Sequence, residues 1–355
     1  MAPRLKGLSR CFSTKTVHNV DLGCEAQATA ILGACRADRA LQHAVLSLRV
    51  LHDQYERGYN RGLSVQQYHD DKLGIEHYSL ALRGLASRLS LKSSTDSVAS
   101  ALLCCQLFIS IEQARQDYRA MVLHMLRGLA IMHEHAARPS LMDEKHLRPA
   151  ARPPLPMLDL FLIKLFSAPC KFAEKASPAA SPISEASSCT GSSVAGPAIN
   201  RGPRHISPDT RGELVRLAAQ VAQLLQQVSL AKSAQAARCL RHAKAELLKS
   251  LDLWAPSPTS TPGDYTGHPE PLTVLFMRLF HALLQVILLP VLELCPHDNV
   301  ALVAARARLE ALASIITDQV QDYSVSKSPD KAPDLAPARL VGAEQRLTSS
   351  ESLFP

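Results

Sequence analysis

The strongest constraint in this chain is a spacing. Apolar residues recur three and four positions apart through four consecutive segments. Leu41, Val45, Leu48, Leu51 and Tyr55 make the first stripe, and Ile75, Tyr78, Leu82, Leu85 and Leu89 the second. Val98, Leu102, Cys105, Ile109 and Glu112 make the third, and Tyr118, Val122, Met125, Leu129 and Met132 the fourth. This is the surface repeat of an α-helix. The breaks between stripes carry helix-ending chemistry. Asp38 caps the first helix and Gly58 ends it; Ser93-Ser94-Thr95-Asp96 stops the second and caps the third; Pro139 follows the fourth. Long amphipathic helices with short breaks imply antiparallel αα-hairpins.

The pattern changes after residue 139. Pro139, Pro149, Pro153, Pro154 and Pro156 mark an irregular crossover, and Leu158–Phe166 reads as a short apolar helix. Residues 167–208 are rich in Ser, Pro and Ala with one aromatic, Phe172, so they read as a flexible insertion. Leu214, Leu217, Val221, Leu224, Val228 and Ala231 then keep a heptad spacing that fails at Gln235 and Arg238. That length fits an internal packing helix better than a dimer zipper. Leu247, Leu251 and Trp254 continue an apolar face to Pro256. A loop covers 256–269, an apolar helix 272–294, and a last helix runs near Val300–Tyr323.

No strand is read anywhere. The fold class is therefore all-α: an array of antiparallel helical hairpins forming one body, with a disordered insertion and disordered termini. The organisation is a basic N-terminus over 1–27, a first helical half over 28–166, the insertion over 167–208, a second half over 209–323 and a polar tail over 324–355. Composition agrees. Aromatics are only 5% and glycines number 15, which disfavours β-sandwiches and phosphate-cradling loops, whereas Ala and Leu favour helices.

Catalytic and metal chemistry is hard to assemble from these residues. The nine cysteines form no C-x-x-C pair. Cys104 and Cys105 are adjacent on a helix and read as small core thiols. His133-Glu134-His135 is the densest ligand-like cluster, but residues two apart on a helix point about 200° apart and cannot share one metal. His69-Asp70-Asp71 and Asp53 read as isolated surface acids. Gly191–Gly196 lacks the spacing of a nucleophile elbow. The reading is a protein that is not an enzyme, with no cofactor. Its runner-up is an all-α enzyme or metabolite-binding protein with a buried pocket under Leu272–Leu294.

Charge and targeting add two expectations. The net charge is +7, and Lys232, Arg238, Arg241 and Lys244 lie on one helix as a basic strip, read as a solvated face, with duplex DNA binding near Lys232–Lys249 as the weaker alternative and direct DNA binding not expected. Arg4, Lys6, Arg10 and Lys15 precede the first acid, Asp21, so a mitochondrial presequence over 1–16 is a further alternative. Leu272–Leu294 is the membrane candidate. Arg278, His281 and Gln285 inside it favour a buried core helix, and no membrane partner is expected.

Four blocks carry a family resemblance. They are Ala40–Leu48, Glu76–Leu85, Ala101–Glu112, and Gln116–Ala120 followed by His124–Leu129. Their order and spacing resemble the regulatory middle region of fungal-specific transcription factors of the zinc binuclear-cluster type. The resemblance is clearest over 28–135 and looser over 210–322. The motif positions it implies are Leu41, His43, His77, Tyr78, Ala81, Leu82, Leu102, Leu103, Glu112, His124 and Gly128, all structural. Two departures stand out. The family's closely spaced zinc-binding cysteines do not fit Cys11, Cys24 and Cys35, so a zinc cluster and its usual route to DNA are missing from this chain. Gln116-Asp117 stands where the family often has Gly-Asn.

The resemblance implies a regulator acting in the nucleus, with the cytoplasm as alternative and a pathway or secondary-metabolite gene cluster among its candidate targets. Its expected partners are other transcription regulators or a second copy, with room for a small-molecule effector. Glu112 interrupts an apolar stripe, so a partner such as Arg115 is expected for it. Glu112→Ala then lowers the melting temperature.

Overall fold

The computed structural model describes residues 31, 33–35, 37–58, 65–91, 94–167, 208–254, 270–293 and 299–326. The presequence-like residues, the inserted segment beyond residue 167, the 256–269 loop and the tail beyond 326 lie outside the described residues. So do the side chains of His69-Asp70-Asp71.

Among the described residues the fold is all-α. Helices α1 (Arg39–Gly58), α2 (Val65–Leu91), α3 (Thr95–Arg115) and α4 (Tyr118–Glu134) come first. After a crossover come α5 (Leu158–Ser167), α6 (Pro208–Leu230), α7 (Ala234–Trp254), α8 (Leu272–Leu288) and α9 (Val300–Ser326). The caps sit where the breaks in the sequence put them. The Asp38 carboxylate accepts from Ala40 N at 2.9 Å. Ser94 and Ser97 form a reciprocal capping box at the start of α3. Helices α1 and α2 run antiparallel: Asp38 pairs with Arg88, His43 meets His77, and the Ser47 hydroxyl donates to Gly74 O at 2.8 Å.

Five local expectations need correction. The α2 helix starts ten residues before Ile75, at Val65. The first half is centred on α3, which is buried from Ser97 to Gln113 at every position but Ala99. A single stripe therefore understates it, because α1, α2, α4 and α5 surround the helix. Helix α3 is also the described helix long and apolar enough to cross a membrane; 89% of that stretch lies inside the fold. The apolar segment at 272 ends as a helix at Leu288, and Pro290 follows in a turn. Finally, the crossover holds a short antiparallel pair, β1 (Ser140–Leu141) with β2 (Leu147–Arg148). Two-residue strands carry no period for a sequence pattern to reveal.

Close approach packs the first half, and aromatic contacts join it to the second. A side chain at Gly128 on α4 would meet Leu158 of α5 and Cys105 of α3, so glycine lets three helices converge there. Tyr118 of α4 stands edge-on to Phe276 of α8, with centroids 5.1 Å apart. Phe166 of α5 stacks on Phe280 of α8. The heptad residues of α6 from Leu214 to Val228 are buried within this single core.

Candidate functional site

Three motif residues that lie far apart in sequence converge inside the first half. Tyr78 comes from α2, Glu112 from α3 and His124 from α4. The Tyr78 hydroxyl lies 2.7 Å from His124 Nε2 and also bonds the Glu112 carboxylate. A phenol has one proton to give. The consistent arrangement is that His124 Nε2–H donates to Tyr78, and Tyr78 O–H donates to Glu112. Arg115, one turn beyond Glu112, closes the chain with Nη1 at 2.7 and 3.0 Å from the two carboxylate oxygens. Its guanidinium also lies over the Tyr78 ring, 5.8 Å from the centroid. Phe108 fills the remaining side, edge-on to Tyr78 and tilted on His124.

Burial sets the protonation states. It pushes the His124 imidazole down to about 4, with Arg127 and Arg115 adding to the effect. The ring is therefore neutral at physiological pH. Burial also raises the Tyr78 phenol, and Glu112 raises it further, so the hydroxyl stays protonated. Glu112 is itself raised by burial, against the opposing pull of Arg115 and Tyr78. A buried, protonated phenol between a carboxylate and a neutral imidazole is a fixed relay that holds three helices in register. Hydrogen-bonded networks of this kind specify one packing.

The other motif positions surround this relay. His43 Nδ1 lies 3.1 Å from His77 Nδ1 at the α1–α2 seam. The two rings are within 26° of parallel, with centroids 5.2 Å apart. One nitrogen of the pair donates and the other accepts. Leu41, Ala81, Leu102 and Leu103 are buried core, and Leu82 packs against that core. Gln116 adopts the left-handed conformation at φ 61° that a glycine would take freely. Asp117 caps α4 by accepting from Ala120 N at 2.9 Å. Gln-Asp thus forms the turn that Gly-Asn would favour.

Two cations that tie elements together, Arg138 half-buried and Lys244 buried, were not identified from the sequence. Arg138, just past α4, makes a two-pronged ion pair with Asp159 of α5 at 2.8 and 2.9 Å. It also donates to Leu225 O and the Ser229 hydroxyl of α6. One guanidinium therefore fastens the first half to the second. Lys244 drops out of the basic strip, whose other members Lys232, Arg238 and Arg241 are exposed. It is 6% exposed, and its ammonium donates to Leu289 O, Val291 O and Glu293 Oε1 at 2.7–2.9 Å. It points inward because the carbonyls at the end of α8 lack intrahelical donors, and a cation satisfies both their hydrogen bonds and the helix dipole. Its heptad relation to Ala237 and Leu251 is the one hint in the sequence.

No group of three or more His, Cys, Asp or Glu among the described residues is placed to hold a metal ion. His135 ends α4 at its C-cap. It also lines a hollow of about 280 Å³ with Thr95, Val98, Ala151, Arg152 and Leu155.

Comparison with known proteins gives a clear relative. The chain is 41% identical over 326 residues to the transcription regulator lscL of Purpureocillium lilacinum, covering 90% of this chain and 78% of that protein. No family model matches the chain, and no solved structure does either.

Proposed function

The chain belongs to the family of the transcription regulator lscL, and on that premise we propose that its helical body is the regulatory middle region of a fungal-type regulator. It works through protein contacts, with other regulators or with a second copy, in the nucleus. It acts by contact rather than by catalysis. Residues 28–166 and 209–323 act as one body on either side of the insertion at 167–208. The identity to a transcription regulator across nearly the whole body carries this reading. Support also comes from the four family-like blocks, whose motif residues pair in space: His43 with His77, and Tyr78 with Glu112 and His124. The hollow beside the start of α3, with Arg152 and His135 among its lining residues, is the place for a small effector.

The test is a fusion of the chain to a heterologous DNA-binding domain in a filamentous fungus carrying a matching reporter. The expected result is a reporter level that departs severalfold from the unfused control, with a fluorescent version of the chain in nuclei. A reporter at its control level with fluorescence confined to mitochondria overturns the reading.

A further inference from the structure

Helix α7 packs on the body through one face, with Ala234, Leu240, Leu247 and Leu248 against the core beside its buried residues. Ala237, Lys244, Leu251 and Trp254 are buried, while Arg238, Arg241 and Lys249 are exposed. Lys232, in the turn before the helix, is exposed as well. At about 100° per residue, Arg238, Arg241 and Lys249 fall within one outer arc, and they extend over about 16 Å of helix. None of the four cations makes an ion pair among the described residues. The only carboxylate between Arg238 and Lys249 is Glu246. Asp252, further on, is engaged by Gln285. Ala236, Cys239, Ala243 and Ala245 are also exposed, so short side chains separate the cations.

We propose that this outer face of α7 is a sequence-independent contact for the phosphate backbone of duplex DNA. Unpaired cations over small residues let a polyanion lie close to the helix and release its counterions. An acidic protein segment fits less well. Stable protein docking needs bulky apolar anchors near the centre of the patch, and the exposed large apolar residue of α7, Leu253, sits at its far end. The contact is weak by itself and adds to affinity when a DNA-bound partner holds the chain nearby. It goes beyond the proposed function and is measured without a partner, so each can fail independently.

The experiment uses the full chain and a fluorescent mixed-sequence duplex, read by anisotropy across a salt series. Three phosphate contacts give a log–log salt slope of about −3. The variant Arg238→Glu/Arg241→Glu/Lys249→Glu is expected to bind at least about tenfold more weakly at low salt, with a flatter slope. The variant Lys72→Glu/Lys145→Glu/Lys164→Glu changes the net charge equally at exposed sites elsewhere, and is expected to keep affinity within about twofold. All six side chains are exposed, so unchanged circular dichroism verifies the fold of both variants. Three outcomes overturn the proposal: no binding at low salt, equal losses in both variants, or an α7 variant that loses polyglutamate binding while keeping DNA binding.

Discussion

Helices α3 and α7 are both 21 residues long, and they sit at opposite extremes of burial. Helix α3 is enclosed, yet it carries Gln106, Glu112 and Gln113 into the interior. Helix α7 packs on the body through one face and sends a single charge inward, Lys244. On the enclosed helix Glu112 is met by Arg115 one turn on, while Gln106 Oε1 and Gln113 Oε1 are buried without a hydrogen-bond partner. The peripheral helix needs one ammonium to satisfy the end of α8. Burial, rather than length or helix propensity, therefore decides what each position tolerates.

The largest contrast comes from truncating one leucine on each helix. Leu107 on α3 is fully buried and Leu253 on α7 is 80% exposed. Leu107→Ala is expected to cost about 2–5 kcal/mol, and Leu253→Ala to stay within about 0.5 kcal/mol, both by urea denaturation. Similar losses at the two sites would mean that α7 is enclosed in solution.

The second test reads the polar interior that α3 requires, by acid titration. Unfolded, the His124 ring takes its proton near pH 6.5; folded, it does so near 4. Between these values the unfolded chain binds more protons, so stability falls as pH drops from about 6.5 to about 4. The loss is on the order of 3 kcal/mol, and above that window the group has no effect. His281 is shifted in the same direction by burial. The check is therefore a comparison with His124→Asn, whose stability should decline less over the same range.

The next contrast lies within α7. Lys244→Ala leaves two backbone carbonyls and Glu293 without their donor, at a cost of about 2–3 kcal/mol. Arg241→Ala, one turn away and exposed, is expected to be close to neutral in the same assay. The smallest effect has the opposite sign. Gln116→Gly relieves a left-handed backbone at the α3–α4 turn and is expected to raise stability by about 1 kcal/mol. A fall in melting temperature would show that the glutamine side chain contributes more than its backbone costs.

The all-α class and the caps at Asp38 and Ser94 were legible because helical period and cap chemistry are local properties. The Arg115 partner for Glu112 was legible too, since both residues lie one turn apart on the same helix. The convergence of Tyr78, Glu112 and His124 was not derivable from spacing. Family resemblance named the three residues, but their contacts depend on how α2, α3 and α4 cross. Lys244 was misread because a buried lysine and a solvated one look alike in sequence; only the heptad position it shares with Ala237 and Leu251 separates them. Arg138 was missed because its partners lie far along the chain, Ser229 as much as 91 residues away.

The short segment after α8 has a consequence for how the molecule comes apart. Lys244 of α7 grips Leu289, Val291 and Glu293. From the other side, Leu141 of β1 donates its backbone N–H to Leu292 O at 3.1 Å. A few residues of irregular chain therefore serve two masters, the crossover strand of the first half and a helix of the second. Lifting α7 withdraws the ammonium from this segment and loosens the acceptor that holds the crossover. The two attachments then open as one cooperative unit rather than fraying separately. In hydrogen exchange, the Leu141 amide, though it belongs to the first half, becomes a reporter on the detachment of a helix from the second.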